Sequence, residues 1–271
     1  MRTRTAGARR TRLTRNVNGS SLGASSDDLA AAASMFEAAR DAAAADWVTA
    51  AVRDFDHTVG SVVPACFEQY ARVFHPAYVR PSRQSADYVE VRWGAVAAAN
   101  SRLMHPAAEW GSITGSWELS SQGAVWNELP STGSLPPDVA RRLAAPLARY
   151  SQTACWLGVW VGKGPLAAGL GIAARFELPM REMWLLHGPV EAAAISPYST
   201  PAFGSVNLWW PEDQAWCVGT DIDLMTTYVG GSGDCIQGLL ADRSLEALAV
   251  SVDQLVTWDG DKINPLPGPP M

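Results

Sequence analysis

The chain has 271 residues, 48 % hydrophobic and 18 % charged, with 12 tryptophans and a net charge of −6. A chain of that size buries enough surface to fold without disulfide or metal staples. Without Arg2, Arg4, Arg9, Arg10, Arg12 and Arg15, the 21 basic residues fall to 15 against 27 acidic ones, a balance of −12 from residue 16 onward, which excludes the folded body as a binder of phosphate backbones.

Residues 1–26 are rich in Arg, Thr, Gly and Ser and read as a disordered basic tail. No apolar segment follows Arg9-Arg10, so no export signal is indicated. One domain is expected over 27–265, with a second disordered tail at 266–271. Ser25 and Asp28 approximate a capping box. Leu29, Phe36, Ala39, Ala43, Trp47 and Ala50 then recur at near-helical spacing, which predicts a helix through this Ala-rich stretch.

Pro64 and Pro76 bound a segment read as a strand at Gln69–Phe74, and residues 88–100 read as helical around Trp93. The Ser-, Gly- and Pro-rich run from Ser112 to Leu135 predicts a long surface connection. A helix is expected over Ser134–Tyr150, with Ser134 as cap, Pro136 and Pro137 in its first turn, and Val139, Leu143, Leu147 and Tyr150 on one face. Pro146 should kink it.

After Thr153 the pattern becomes strand-rich. ACWLGVWVG carries apolar residues on both faces, the mark of a central strand, and RFELP and MREMWLLHG predict two more. A helix over Gly233–Ala241 has Ser232 as N-cap and Asp234 in its first turn. Strict βαβ alternation is missing, so the expected class is α+β: a mixed or mainly antiparallel sheet in the C-terminal half, covered by N-terminal helices. The longest low-charge run, Trp156–Ala174, holds Lys163, Pro165 and five glycines, which is too broken for a membrane span. Cysteines 66, 155, 217 and 235 form no CxxC pair and read as reduced, buried thiols of a cytoplasmic protein.

Standard catalytic signatures are absent. GKGPLAAGLG lacks the order of a phosphate-binding loop, and Pro165 has no N–H where such a cradle needs donors. GGSG is not a nucleophile elbow. His57, His75, His105 and His187 pair at no metal-ligand spacing. What remains is NLWWPEDQAWCVGTDIDLMTTYVGGS, residues 207–232. Here Trp209, Trp210 and Trp216 flank Glu212 and Asp213 in a turn, either as an aromatic platform beside acids or as a hydrophobic plug on a sheet edge. CVGTDIDLMTTYV read as one strand puts Asp221 and Asp223 on the same face, about 6.5–7 Å apart at Cα. That pair could hold a hard cation, divide acid and base roles, or face solvent.

This stretch, with YARVFHPA (Tyr70–Ala77) and SLPPDVARRLAAPL (Ser134–Leu147), resembles an uncharacterised family of actinobacterial proteins over most of residues 57–265. The family brings no activity to transfer. The usage of Arg and Ala, with Lys163 and Lys262 the only lysines, fits a high-GC genome. A strand leaving through YVGGS into a short helix also resembles the SUKH-like immunity proteins, which implies neutralisation of a toxin by binding, and carries over no residue.

The expected function is accordingly a non-catalytic cytoplasmic protein-binding module, with immunity as one setting, and with Trp209, Trp210, Glu212, Asp213, Trp216, Asp221 and Asp223 as its surface. Its expected partner is a basic protein, with no nucleic acid for the folded body and no membrane, cofactor or metal, while the Arg-rich head could touch nucleic acid or anionic lipid. The alternatives are a hydrolase-type or metal-assisted enzyme centred on Asp221 and Asp223, and a small-ligand or sugar site built on the three tryptophans.

Overall fold

The computed structural model describes residues 34–82, 85, 87–118, 122–199 and 204–268. The basic tail of residues 1–26, the Ser25–Asp28 cap and residues 269–271 lie outside these. Among the described residues the strands are β1 (Glu37–Ala38), β2 (Gln69–Phe74), β3 (Ala77–Val79), β4 (Val89–Val91), β5 (Cys155–Trp160), β6 (Arg175–Leu178), β7 (Arg181–Gly188), β8 (Leu208–Pro211), β9 (Trp216–Gly219), β10 (Thr226–Gly231) and β11 (Ala247–Val250). The α-helices are α1 (Asp46–Ala51), α2 (Trp93–Ala99), α3 (Trp110–Thr114), α4 (Pro137–Leu147) and α5 (Gly233–Ala241).

The fold is α+β. One sheet runs β1-β7-β5-β8-β9-β10-β2-β11, with β6 also on β7, and β3 and β4 form a separate hairpin. Every pairing in it is antiparallel. β7 is long enough to take β5 along one side and, on the other, β6 and β1 end to end at Arg181–Trp184 and Leu186–His187. β2 comes from the N-terminal half yet lies between β10 and β11, so strands from both halves share the sheet.

Side-chain alternation builds a core on each face. Leu157, Val159, Trp209, Trp216, Val218 and Val229 meet α4 and α5 on one side through Val139, Leu143, Leu147, Ile236 and Leu239. Leu185, Leu208, Trp210 and Cys217 meet Val48 of α1 on the other. β5 is thus buried from both sides, as its double-faced apolar pattern requires. Ser232 caps α5, its Oγ accepting the Cys235 N–H at 3.3 Å.

Several local expectations are corrected. Phe36 is buried, and Glu37–Ala38 pairs with His187 and Leu186 instead of continuing a helix, so within the described residues the α-helix is confined to Asp46–Ala51. Val89–Val91 is a strand, with the helix starting at Trp93. The supposed surface connection starts inside α3, with Ser112 and Ile113 buried, and holds the buried Trp126, which joins Trp93 and Trp110 in a third core where the rings stack edge to face at centroid distances of 5.1 and 5.2 Å. α4 has Pro136 at its N-cap, and Ser134 instead accepts a hydrogen bond from Lys163. Gly133 has φ of +68°, and a Cβ there would run into the Ile222 carbonyl, so glycine is required where this loop crosses the turn after β9.

Candidate functional site

The WWPEDQAW stretch divides by depth. Trp209, Trp210 and Trp216 are each 1 % exposed, which leaves no aromatic platform for a sugar or other ligand. Adjacent Trp209 and Trp210 point to opposite faces of β8. Trp209 packs edge to face on Trp216 at 5.2 Å, while Trp210 meets Trp47 at 6.1 Å and Phe176 at 6.2 Å. Between β8 and β9 the chain turns tightly. The Gln214 N–H donates to Pro211 O at 2.9 Å, Gln214 adopts φ of 59°, and the Ala215 N–H donates to Asp213 Oδ1 at 3.2 Å. Glu212 and Asp213 at the tip are exposed.

Register decides what surrounds them. Cys155, the first residue of β5, lies opposite Gly188 at the end of β7 and Pro211 at the end of β8, while Glu37 of β1 lies opposite His187. One end of the sheet therefore gathers Glu37, His187, Glu191, Glu212 and Asp213 from three separate stretches of chain. The Glu212 N–H donates to Ala154 O at 3.0 Å, and its carboxylate meets His187 Nε2 at 2.9 Å. The imidazole in turn packs against the half-buried Trp156 ring at 4.6 Å. Burial, with the added fields of Glu191, Asp213 and Glu212, pushes the Cys155 thiol up to about 12. A groove of about 640 Å³ opens here. Met35, Ala148, Ala154, Pro189 and Val190 give it apolar walls, Glu37 and Glu191 its negative charge and His187 an imidazole, and among the described residues no lysine or arginine lines it.

Asp221 and Asp223 lie elsewhere, and the strand expected to carry them is two strands. β9 ends at Gly219, β10 begins at Thr226, and Tyr228 pairs back onto Gly219. Asp221 makes the turn: its Oδ1 accepts the Asp223 N–H at 3.2 Å and its carbonyl accepts the Leu224 N–H at 3.2 Å. Reversal there puts Val218 and Val229 into the same core, which continued alternation would not. The other Asp221 oxygen pairs with Arg181, whose Nη2 also donates to Ser61 O at 2.6 Å. A guanidinium already holds this carboxylate, an arrangement that opposes a metal cation, and Asp223 is exposed, its backbone N–H donating to Asp221.

The remaining candidate chemistry is structural. Burial raises the thiols of Cys217 and Cys235, the latter to about 11, so neither is poised as a nucleophile. Cys66, expected to be buried, is exposed, and burial of its neighbourhood still raises its thiol. Lys163 donates to Gly133 O at 2.6 Å and to Ser134 Oγ. Ser134 is 3 % exposed, so the contact staples two loops and presents no nucleophile to solvent. Two buried charge centres carry no signature in the sequence as pairs, because Arg72 and Glu109 lie 37 residues apart and His105 and Asp261 lie 156 apart. The one sequence signal for Arg72 is a lone charge inside an otherwise apolar strand.

His75 is fully buried between β2 and the loop at Ser131. Ser131 O can only accept, so Nδ1 carries the proton and donates to it at 2.7 Å; Nε2 then accepts from Thr227 Oγ1 at 2.8 Å, and Thr227 accepts from Thr220 at 2.6 Å. Burial holds the imidazole down at about 4. The unfolded chain takes up this proton near pH 6.5 and the folded one does not, so the contribution is complete above pH 6.5 and is lost as pH falls towards 4. Denaturation at stepped pH should show roughly 3 kcal/mol lost over that window, and the step should disappear in His75→Gln.

Among the described residues, no group of three or more His, Cys, Asp or Glu is placed to hold a metal ion, and no helix is long and apolar enough to cross a membrane. Comparison with protein-family models, with curated proteins and with solved structures found no match.

Proposed function

We propose that the protein is a binding module that takes a basic segment of a partner protein into the groove at this end of the sheet. The observation that carries the reading is a groove of about 640 Å³ lined by Glu37 and Glu191, with Glu212 and Asp213 on the adjoining turn and, among the described residues, no lysine or arginine in its lining. Its apolar walls suit the methylene stems of Arg or Lys, and the carboxylates suit their charged ends. The acidic body adds long-range attraction, which acts on the association rate more than on final affinity. A role in neutralising a basic toxin, such as a nuclease, is the setting that fits this chemistry. The tryptophans of WWPEDQAW serve the reading indirectly, by fixing the strand ends from which the acids project.

Calorimetric titration of the whole protein with an octa-arginine peptide tests this. Binding is expected to weaken about tenfold or more between 50 and 300 mM salt, as contacts between exposed charges are screened. The double variant Glu191→Gln/Glu212→Gln should bind at least tenfold more weakly. Absence of binding, or equal affinity in the variant, would refute the proposal.

A further inference from the structure

We infer that the chain's own Arg-rich segment, residues 2–15, is a resident competitor for this groove, so that an outside partner binds by displacing it. The inference rests on the groove reading above and adds a regulatory element to it. Ser34 and Met35, where the described chain begins, themselves line the groove. The preceding 33 residues are therefore attached at its rim, and they carry six arginines with no acidic residue before Asp27. From Arg15 to Ser34 the chain can span up to about 60 Å when extended, several times the width of a groove this size. A tether of that length presents its arginines at an effective concentration on the order of 1 mM. The charges are complementary: arginines arrive from one side, Glu37 and Glu191 in the lining and Glu212 and Asp213 on the adjoining turn receive them, and among the described residues no lysine or arginine lines the groove to repel them. Even a segment that binds with a dissociation constant of about 100 μM would then occupy the groove roughly nine-tenths of the time.

The test compares two full-length proteins, the native chain and one in which Arg2, Arg4, Arg9, Arg10, Arg12 and Arg15 are all replaced by Ser, each titrated with octa-arginine peptide at 50 mM salt. The neutralised protein should bind the peptide about tenfold more tightly, because the internal competitor is gone. Adding Glu191→Gln/Glu212→Gln should abolish that difference. Equal or weaker binding by the neutralised protein would overturn the inference while leaving the groove reading in place. If the peptide binds neither protein, the groove reading falls and this inference with it.

Discussion

Replacing Glu109 by alanine is expected to lower the stability by about 3–5 kcal/mol, the cost of leaving a buried charge without its partner. Arg72 projects from β2 into a closed compartment, its side chain 2 % exposed and that of Glu109 14 %. The guanidinium lies over the rings of Phe74, Tyr228 and Trp93 at 4.9, 5.8 and 5.9 Å, and donates to Pro106 O and Ala108 O at 3.0 Å and to Glu109 at 2.8 Å. Carbonyls and ring faces lower the cost of burying that charge but do not neutralise it. Burial works against the Arg72 charge, and Glu109 is the chief influence that outweighs it and holds the group above its ordinary value. Burial likewise pushes the Glu109 carboxyl up despite the adjacent cation. Glu109→Gln keeps an acceptor and should cost less than the alanine. Urea denaturation reads both, and a loss below about 1 kcal/mol for Glu109→Ala would mean the compartment admits water.

Trp209→Ala should cost about 3–5 kcal/mol as a buried ring is replaced by a cavity, and should leave affinity for a basic peptide within about twofold. Trp209 and Trp216 stack at 81° inside the core shared with α4 and α5. Their indole N–H groups have no hydrogen-bond partner among the described residues, so the rings contribute as apolar mass. Trp209→Phe, which removes one such unsatisfied group, should therefore be far milder than the alanine. Loss of binding in a Trp209→Ala protein that remains folded would show that the ring has a direct part in recognition.

Where short-range rules decide, the sequence was readable. β2, β5, β6 and β7 follow from period-two patterns and bounding prolines and glycines, and α5 from Ser232 and Asp234 at its start. The readings that failed share one cause. Asp221 and Asp223 satisfy both a strand face and a turn, and only the fit of Val218 and Val229 into one core selects the turn. The Ala-rich run after residue 34 suits a helix, but β7 has free edge positions at Leu186 and His187 that Ala38 and Glu37 fill. Of the candidate site, Glu212 and Asp213 were legible as exposed turn acids. Glu37, His187 and Glu191 were not, because they join them only through the pairing of β5 with β7 and β8 and of β1 with β7.

The most direct test of the groove is to locate the bound peptide. In backbone amide NMR spectra of the whole protein, octa-arginine should shift the resonances of residues 151–154 and 187–191, which line the groove, and of 212–214 on the adjoining turn, and leave those around Asp221 unmoved. Shifts confined to another acidic surface, such as residues 253–259, would contradict the account.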